Sequence, residues 1–263
     1  MAAIVNGIKS ADPNHLSTLE CDAGENSPTC DLSSDDTTLY PLMNINQAYS
    51  YVPNYCPIFL GYNLPSPKPV ILGENGYEGQ FEGTVPEVRR QDWWIATSGA
   101  AGQFWGTNKM SFSSPPSIGS LPGLLSSPGA IQMSYLTSFF SGLAWWNLVP
   151  DQKNVFVTGG EGLAFTGCGM ADPSGTIVAD THATASITSD KTLGVVYIPT
   201  GNAITVNMGA FSPRSTVNAR WFDPTSNTYT AISGSPFAAT GSQVFAPPGN
   251  NSQGQTDWVI IFQ

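Results

Sequence analysis

Residues 68–79 read Lys-Pro-Val-Ile-Leu-Gly-Glu-Asn-Gly-Tyr-Glu-Gly, KPVILGENGYEG. The apolar run at 69–72, bounded by proline and glycine, has room only for a short buried strand. That strand delivers Gly73, Glu74, Asn75, Gly76, Tyr77 and Glu78 at its C-terminal edge. Two carboxylates and a phenol at such an edge suggest chemistry, because in a parallel α/β barrel the loops after the strands build the open face. An ordinary strand-to-loop junction with solvated acids has the same composition, so this stretch alone leaves both readings open.

Working outward, residues 86–99 begin with Pro86 and Glu87 and then place Val88, Trp93 or Trp94, Ile95 and Ala96 at near-helical spacing, which predicts a helix. Residues 100–105, AAGQFW, predict a short strand with an exit loop at 106–110. A Ser, Pro and Gly-rich loop at 111–129 precedes a helix at 130–142 with Met133, Leu136, Phe139 and Phe140 on its apolar face. Upstream, 53–62 reads as a turn and short helix with Tyr55, Phe59 and Tyr62 inward. The first half of 42–51 alternates as a strand, 23–38 is a polar loop outside the core, and 15–21 reads as a strand ending at Glu20 and Asp22. Residues 2–8 are weakly helical, like the tail of a helix already under way, and suggest that the chain begins inside a domain. The spacing of these units is that of βα repeats, which implies a parallel sheet.

The pattern changes after residues 145–150, WWNLVP. Eight short β-rich runs separated by turns follow: VFVTG, TIVAD, ATASIT, LGVVYIP, ITVNM, TVNARWF, TYTAI and DWVIIF. They predict an antiparallel β-sandwich. The fold class is therefore α/β followed by all-β, with domains at 1–152 and 153–263 that pack closely, Trp145 and Trp146 lying near the seam.

With 9 Lys+Arg against 19 Asp+Glu, the formal charge of −10 repels phosphate backbones and anionic membrane surfaces, so neither nucleic acid nor membrane is an expected partner. No stretch has the roughly 18 apolar residues of a membrane span. Low charge with abundant Gly, Pro, Ser, Thr and Asn suggests an extracytoplasmic compartment. Cys21, Cys30, Cys56 and Cys168, with His15 and His182, lack zinc-site spacing; no metal or cofactor is expected. Cys21 and Cys30 flank one loop and suit either a disulfide or free thiols.

In order along the chain, GIKSADPNHLSTLE, KPVILGENGYEG, VRRQDWWIATSGAAGQFWG, PGAIQMSYLTSFF, LVPDQ, GVVYIPTGNAITVNM, ARWFDPTSNTYT and DWVIIF resemble the apiosidase-like glycoside hydrolases. These are (β/α)8 TIM-barrel enzymes followed by a collagen-binding-type β-sandwich. The resemblance implies a partial barrel, strands 5 to 8, and places the retaining nucleophile at Glu74. The residues agree, since Glu74 is the first polar side chain after the apolar strand; Glu78 sits farther out and suits anchoring the loop. Tyr77 is placed to orient Glu74, and Asn46, Tyr49, Trp105, Asn108 and Lys109 to line sugar subsites, where aromatic faces stack and amides read hydroxyls; barrel core is an equal reading for Trp105. For Trp93 and Trp94, packing of helix on barrel is expected.

A retaining enzyme requires a second carboxyl about 5 Å from the nucleophile. In the family it follows the fourth barrel strand, ahead of Met1 in order; Glu20 and Asp22 are the nearby acids able to substitute. The chain is then the C-terminal portion of a secreted glycosidase acting on polysaccharide or oligosaccharide, a half-barrel completed by a partner chain or self-association, or a non-catalytic carbohydrate- or protein-binding module. No HExxH or GxSxG motif supports a peptidase.

Overall fold

The protein is described by a computed structural model covering residues 1–20, 32–80, 83–110, 121–164 and 180–263. Its first part holds three parallel strands in the order β1 (Asn46–Tyr49), β2 (Val70–Glu74), β3 (Gly102–Gln103). Helix α1 (Ala2–Ala11) precedes them, α2 (Tyr55–Tyr62) joins β1 to β2, and α3 (Val85–Thr97) joins β2 to β3. The short α4 (Leu121–Leu124) and α5 (Pro128–Ser141) follow. Ala48, Ile58, Val70, Leu72 and Ile95 close a small core against this sheet. The parallel register sets Asn46 beside Val70 at one end and Tyr49 beside Glu74 at the other.

Three expectations need correction here. The strand read in the first half of 42–51 lies in its second half, as β1, because residues 40–42 close a 3-10 turn before it. Residues 16–20 are not a strand of the sheet: this segment is tied to the approach to β1 by Asn44 N–H to Ser17 O at 2.8 Å and by the Ser33 hydroxyl donating to Leu19 O. The described parallel sheet thus has three strands where four were expected, although Cys21 lies outside the described residues. The 23–38 loop is not wholly outside the core, since Leu32 and Ser33 are buried; its residues 23–31, like 111–120 of the later loop, are not described. Helix α1 is as expected, and none of its residues is buried.

The C-terminal part is sheet-rich. Its strands are β4 (Leu148–Pro150), β5 (Val157–Gly159), β6 (Thr184–Thr188), β7 (Gly194–Ile198), β8 (Ile204–Asn207), β9 (Thr216–Val217), β10 (Ala219–Asp223), β11 (Thr228–Ala231), β12 (Phe237–Ala238), β13 (Ser242–Phe245) and β14 (Trp258–Phe262). Six pair antiparallel in the order β11-β10-β14-β7-β6-β4, three in the order β13-β8-β5, and β12 pairs with β9. The TIVAD run, except for Asp180, falls outside the described residues. The apolar runs of β7 and β14 are continuous because both faces are covered. Alternation sends Val195, Tyr197, Val259 and Ile261 to one core cluster, and Val196, Ile198, Ile260 and Phe262 to another, shared with Ile204, Val206 and Phe245 of the three-stranded sheet.

What covers the first face is α3. Thr84 caps it, its N–H donating to Glu87 Oε2 at 2.7 Å, and Pro86 occupies the first turn. Trp93 and Trp94 are both 0% exposed, and they pack on β7, β10 and β14 together with Phe139 and Phe140 of α5, so they serve the seam with the C-terminal sheet rather than the parallel sheet. Trp146 stands 69% exposed. The seam is built on α3.

At its centre Arg89 of α3 meets Asp257, Nε to Oδ2 and Nη2 to Oδ1 both at 2.8 Å, with Gln132 Oε1 accepting from Nη1 at 2.7 Å. Burial alone would depress the guanidinium, but the Asp257 carboxylate holds it above its ordinary value. Removing one partner leaves the other charged, buried and unpaired. Asp257→Ala is expected to cost about 3–5 kcal/mol, read as a lowered urea midpoint; a loss below about 1 kcal/mol would assign the pair no such role.

Candidate active site

The end of β2 carries Glu74 to a rim made of phenols. Tyr51, just beyond β1, donates to Glu74 Oε1 at 2.9 Å, and its oxygen lies 3.0 Å from that of Tyr49. The two rings meet edge to face at 5.4 Å. Tyr77, from the loop after β2, is close enough to interact with the same carboxylate. All three phenols titrate above their ordinary range: burial is the first cause in each, and the negative charge of Glu74 adds to it. At neutral pH they are uncharged, so Tyr51 and Tyr77 can offer protons to a carboxylate.

Glycines let this rim close. A Cβ on Gly106 would fall 2.1 Å from the Tyr77 ring, and one on Gly73 would fall 2.1 Å from Gln47 Nε2. Glu78 does not point its chemistry at Glu74. Its Oε2 accepts from Ser127 Oγ at 2.7 Å ahead of α5, and its backbone bonds Gly106 O and Asn108 N–H, so it ties the loop after β2 to the exit of β3.

The structure brings Glu74, Tyr49 and Tyr77 together and leaves other expected site residues elsewhere. Asn46 lies at the far end of β1, fully buried, accepting from Ser34 N–H at 3.1 Å; its amide braces a turn, not the rim. Asn108 is exposed and spends its amide on Gly79 O. Lys109 is exposed. Trp105 is half-buried, its Nε1 without a hydrogen-bond partner, against Gly129. It borders a mostly apolar cavity of about 430 Å³ between α3, β3 and α5, lined also by Phe104, Met133, Phe140 and Trp145, which contains none of the rim phenols or Glu74. Tyr51 was missed. The signal was there: in YSY, residues 49 and 51 share a face at a spacing of two.

Behind the rim, Asn75 is buried beside Asp92 of α3. Burial raises the Asp92 carboxyl well above its ordinary value of 3.8, and Arg89 and the Asn75 amide offset this only in part. Asp92 Oδ1 has no partner, and Asn75 Nδ2 makes no hydrogen bond of ordinary geometry. Among the described residues no cluster of three His, Cys, Asp or Glu suits a metal ion, and no helix is long and apolar enough to cross a membrane. Cys56 is disulfide-bonded; Cys21, Cys30 and Cys168 lie outside the described residues.

The chain thus joins parallel strands, one ending in a carboxylate, to a sheet-rich C-terminal part, and comparison with known proteins makes it glycoside hydrolase-like. Residues 1–147 match the family model described as "Apiosidase-like, catalytic domain", and residues 173–263 match "Putative collagen-binding domain of a collagenase". The chain belongs to the apiosidase-like family. Among solved structures it is similar to a protein described as "Glycoside hydrolase", at 21% identity and TM-score 0.75 over 99% of this chain and 60% of that one. It is similar also to a glycoside hydrolase family 5 protein from Bacteroides vulgatus, at 20% identity and TM-score 0.77 over 99% of this chain and 58% of that one. The chain thus spans about three-fifths of the length of these relatives. No curated protein matches it.

A folded-state pKa raised above the unfolded one favours folding fully only below the unfolded value and loses that support as pH rises toward the folded value. Ionising Asp92 therefore opposes folding increasingly above about pH 3.8. Asp92→Asn is expected to raise thermal stability at pH 7, with the gain shrinking to nothing below pH 4; a gain independent of pH would refute the buried-acid assignment.

Proposed function

We propose that this chain carries the nucleophile of a retaining glycosidase acting on O-glycosidic bonds of a polysaccharide, and that the nucleophile is Glu74. The observation that carries the reading is the Tyr51 hydroxyl on Glu74 Oε1 at 2.9 Å, with Tyr77 facing the same carboxylate. Neutral phenols aim the group without neutralising it. In the reaction Glu74 attacks the anomeric carbon as the bond to the leaving oxygen breaks, and water then cleaves the glycosyl ester. Tyr49 and Tyr77 supply the sugar-facing wall.

The parallel strands are the later strands of a (β/α)8 barrel within residues 1–152, and residues 153–263 form a sandwich whose role is to brace that barrel. Support for the barrel comes from β3, which among the described residues has one neighbour in its sheet, leaving an edge for another parallel strand, and from the relatives' greater length. The disulfide at Cys56 supports a secreted protein. A retaining enzyme also needs a proton donor about 5 Å from the nucleophile.

A substrate whose leaving group departs unprotonated tests Glu74 without that donor. Incubating the chain with 2,4-dinitrophenyl 2-deoxy-2-fluoroglycosides is expected to attach one glycosyl group to Glu74, read by peptide mass. With ordinary dinitrophenyl glycosides, Glu74→Gln is expected to lower the rate by on the order of a thousandfold or more. Equal rates, or labelling at another residue, would remove Glu74 from the mechanism.

A further inference from the structure

A second carboxylate stands at the same rim. Gln47 lies in the middle of β1, its N–H donating to Ser33 Oγ at 2.9 Å, and Ser33 donates in turn to Leu19 O, so the segment bearing Glu20 is stitched to the strand. The Gln47 amide donates to Glu20 Oε2 at 2.5 Å. Its side chain fills the notch above Gly73, where a Cβ would fall 2.1 Å from Nε2, 2.3 Å from Cδ and 2.6 Å from Cγ. Gly73 directly precedes Glu74, so one glycine sets Gln47, and through it Glu20, beside the nucleophile. The charge of Glu20 reaches Tyr49 and Tyr77, the phenols that also face Glu74.

We propose that Glu20 and Gln47 extend the Glu74 rim into a subsite for a neutral sugar, Glu20 accepting ring hydroxyls and Gln47 positioning its carboxylate. The inference rests on the glycosidase reading and narrows it to a substrate class. Glu20 is exposed, so the lone pairs not used by Gln47 are open to a ligand. A carboxylate held on one side by an amide accepts well from adjacent hydroxyls. The ion pairs among the described residues are Asp12–His15 and Arg89–Asp257, both elsewhere. A uronate ring would bring a third negative charge against Glu20 and Glu74, and the repulsion between like charges disfavours it there.

The test is saturation-transfer NMR on the full chain with neutral methyl pentosides and hexosides and with methyl glucuronide. At least one neutral glycoside is expected to bind, with the glucuronide about tenfold weaker or worse. Glu20→Ala should weaken the neutral glycoside about tenfold, and Gly73→Ala, which evicts Gln47, should weaken it in the same direction. Tyrosine absorbance gives a readout without ligand: Glu20→Gln should lower the phenol titration midpoint. Glucuronide binding equal to the best neutral probe, no neutral binding, or a Glu20→Ala variant unchanged in binding or Glu20→Gln in titration overturns the subsite. Glu20-dependent binding with no labelling of Glu74 overturns the catalytic reading alone.

Discussion

A guanidinium cannot shed its charge, so burying Arg89 in α3 obliges a carboxylate to meet it, and Asp257 at the threshold of β14 does so. Tyr197 Oη at 3.2 Å and Asn251 Nδ2 at 2.9 Å converge on the same carboxylate. With that bond made, the rest of α3 can lie only one way on the sheet. Trp94 Nε1 reaches His182 O at 2.8 Å, and Ser186 Oγ reaches Thr97 O at 2.7 Å, one helical turn and two turns further on. The helix is covered on both sides: Ile95 faces the parallel sheet, and Trp93 and Trp94 face the antiparallel one.

Because α3 starts a few residues after Glu78, the same helix that joins the two parts also ends the loop from which Tyr77 reaches the rim. Asn75 and Asp92 form the link between them, at the cost of a carboxyl whose ionisation burial opposes. The C-terminal sheet and the rim are therefore not independent: the rim rests on a helix whose position the sheet decides. The rim itself has little freedom, since Gly73 and Gly106 are filled by Gln47 and Tyr77.

Much of this was legible in the chain. Pro86 and Glu87 mark the start of α3, and the short apolar run before Glu74 is a buried strand as read. The long helix, the strands at 70–74 and 102–103, and the antiparallel strands after residue 180 follow from local pattern, whereas the strand at 46–49 occupies the second half of 42–51 and not the first. Residues 15–21 have a strand's composition, yet 16–20 meet β1 through Ser17, Thr18 and Ser33 rather than by a ladder, and composition does not distinguish the two. Strands of two to four residues such as β9, β12 and β13 carry too few side chains to show a period.

The sequence by itself determined which residues are strands and helices over most of the chain, and that Glu74 ends a buried strand, because propensity, capping and apolar period act over a few neighbours. Only the tertiary structure decided that Asn46 faces away from the rim, that Tyr51 and Gln47 belong to it, and that Trp93 and Trp94 serve the second sheet. Those facts depend on which strand end lies beside which, and on which of two apolar surfaces a helix meets, and both are set by contacts such as Arg89 with Asp257 between residues far apart in the chain.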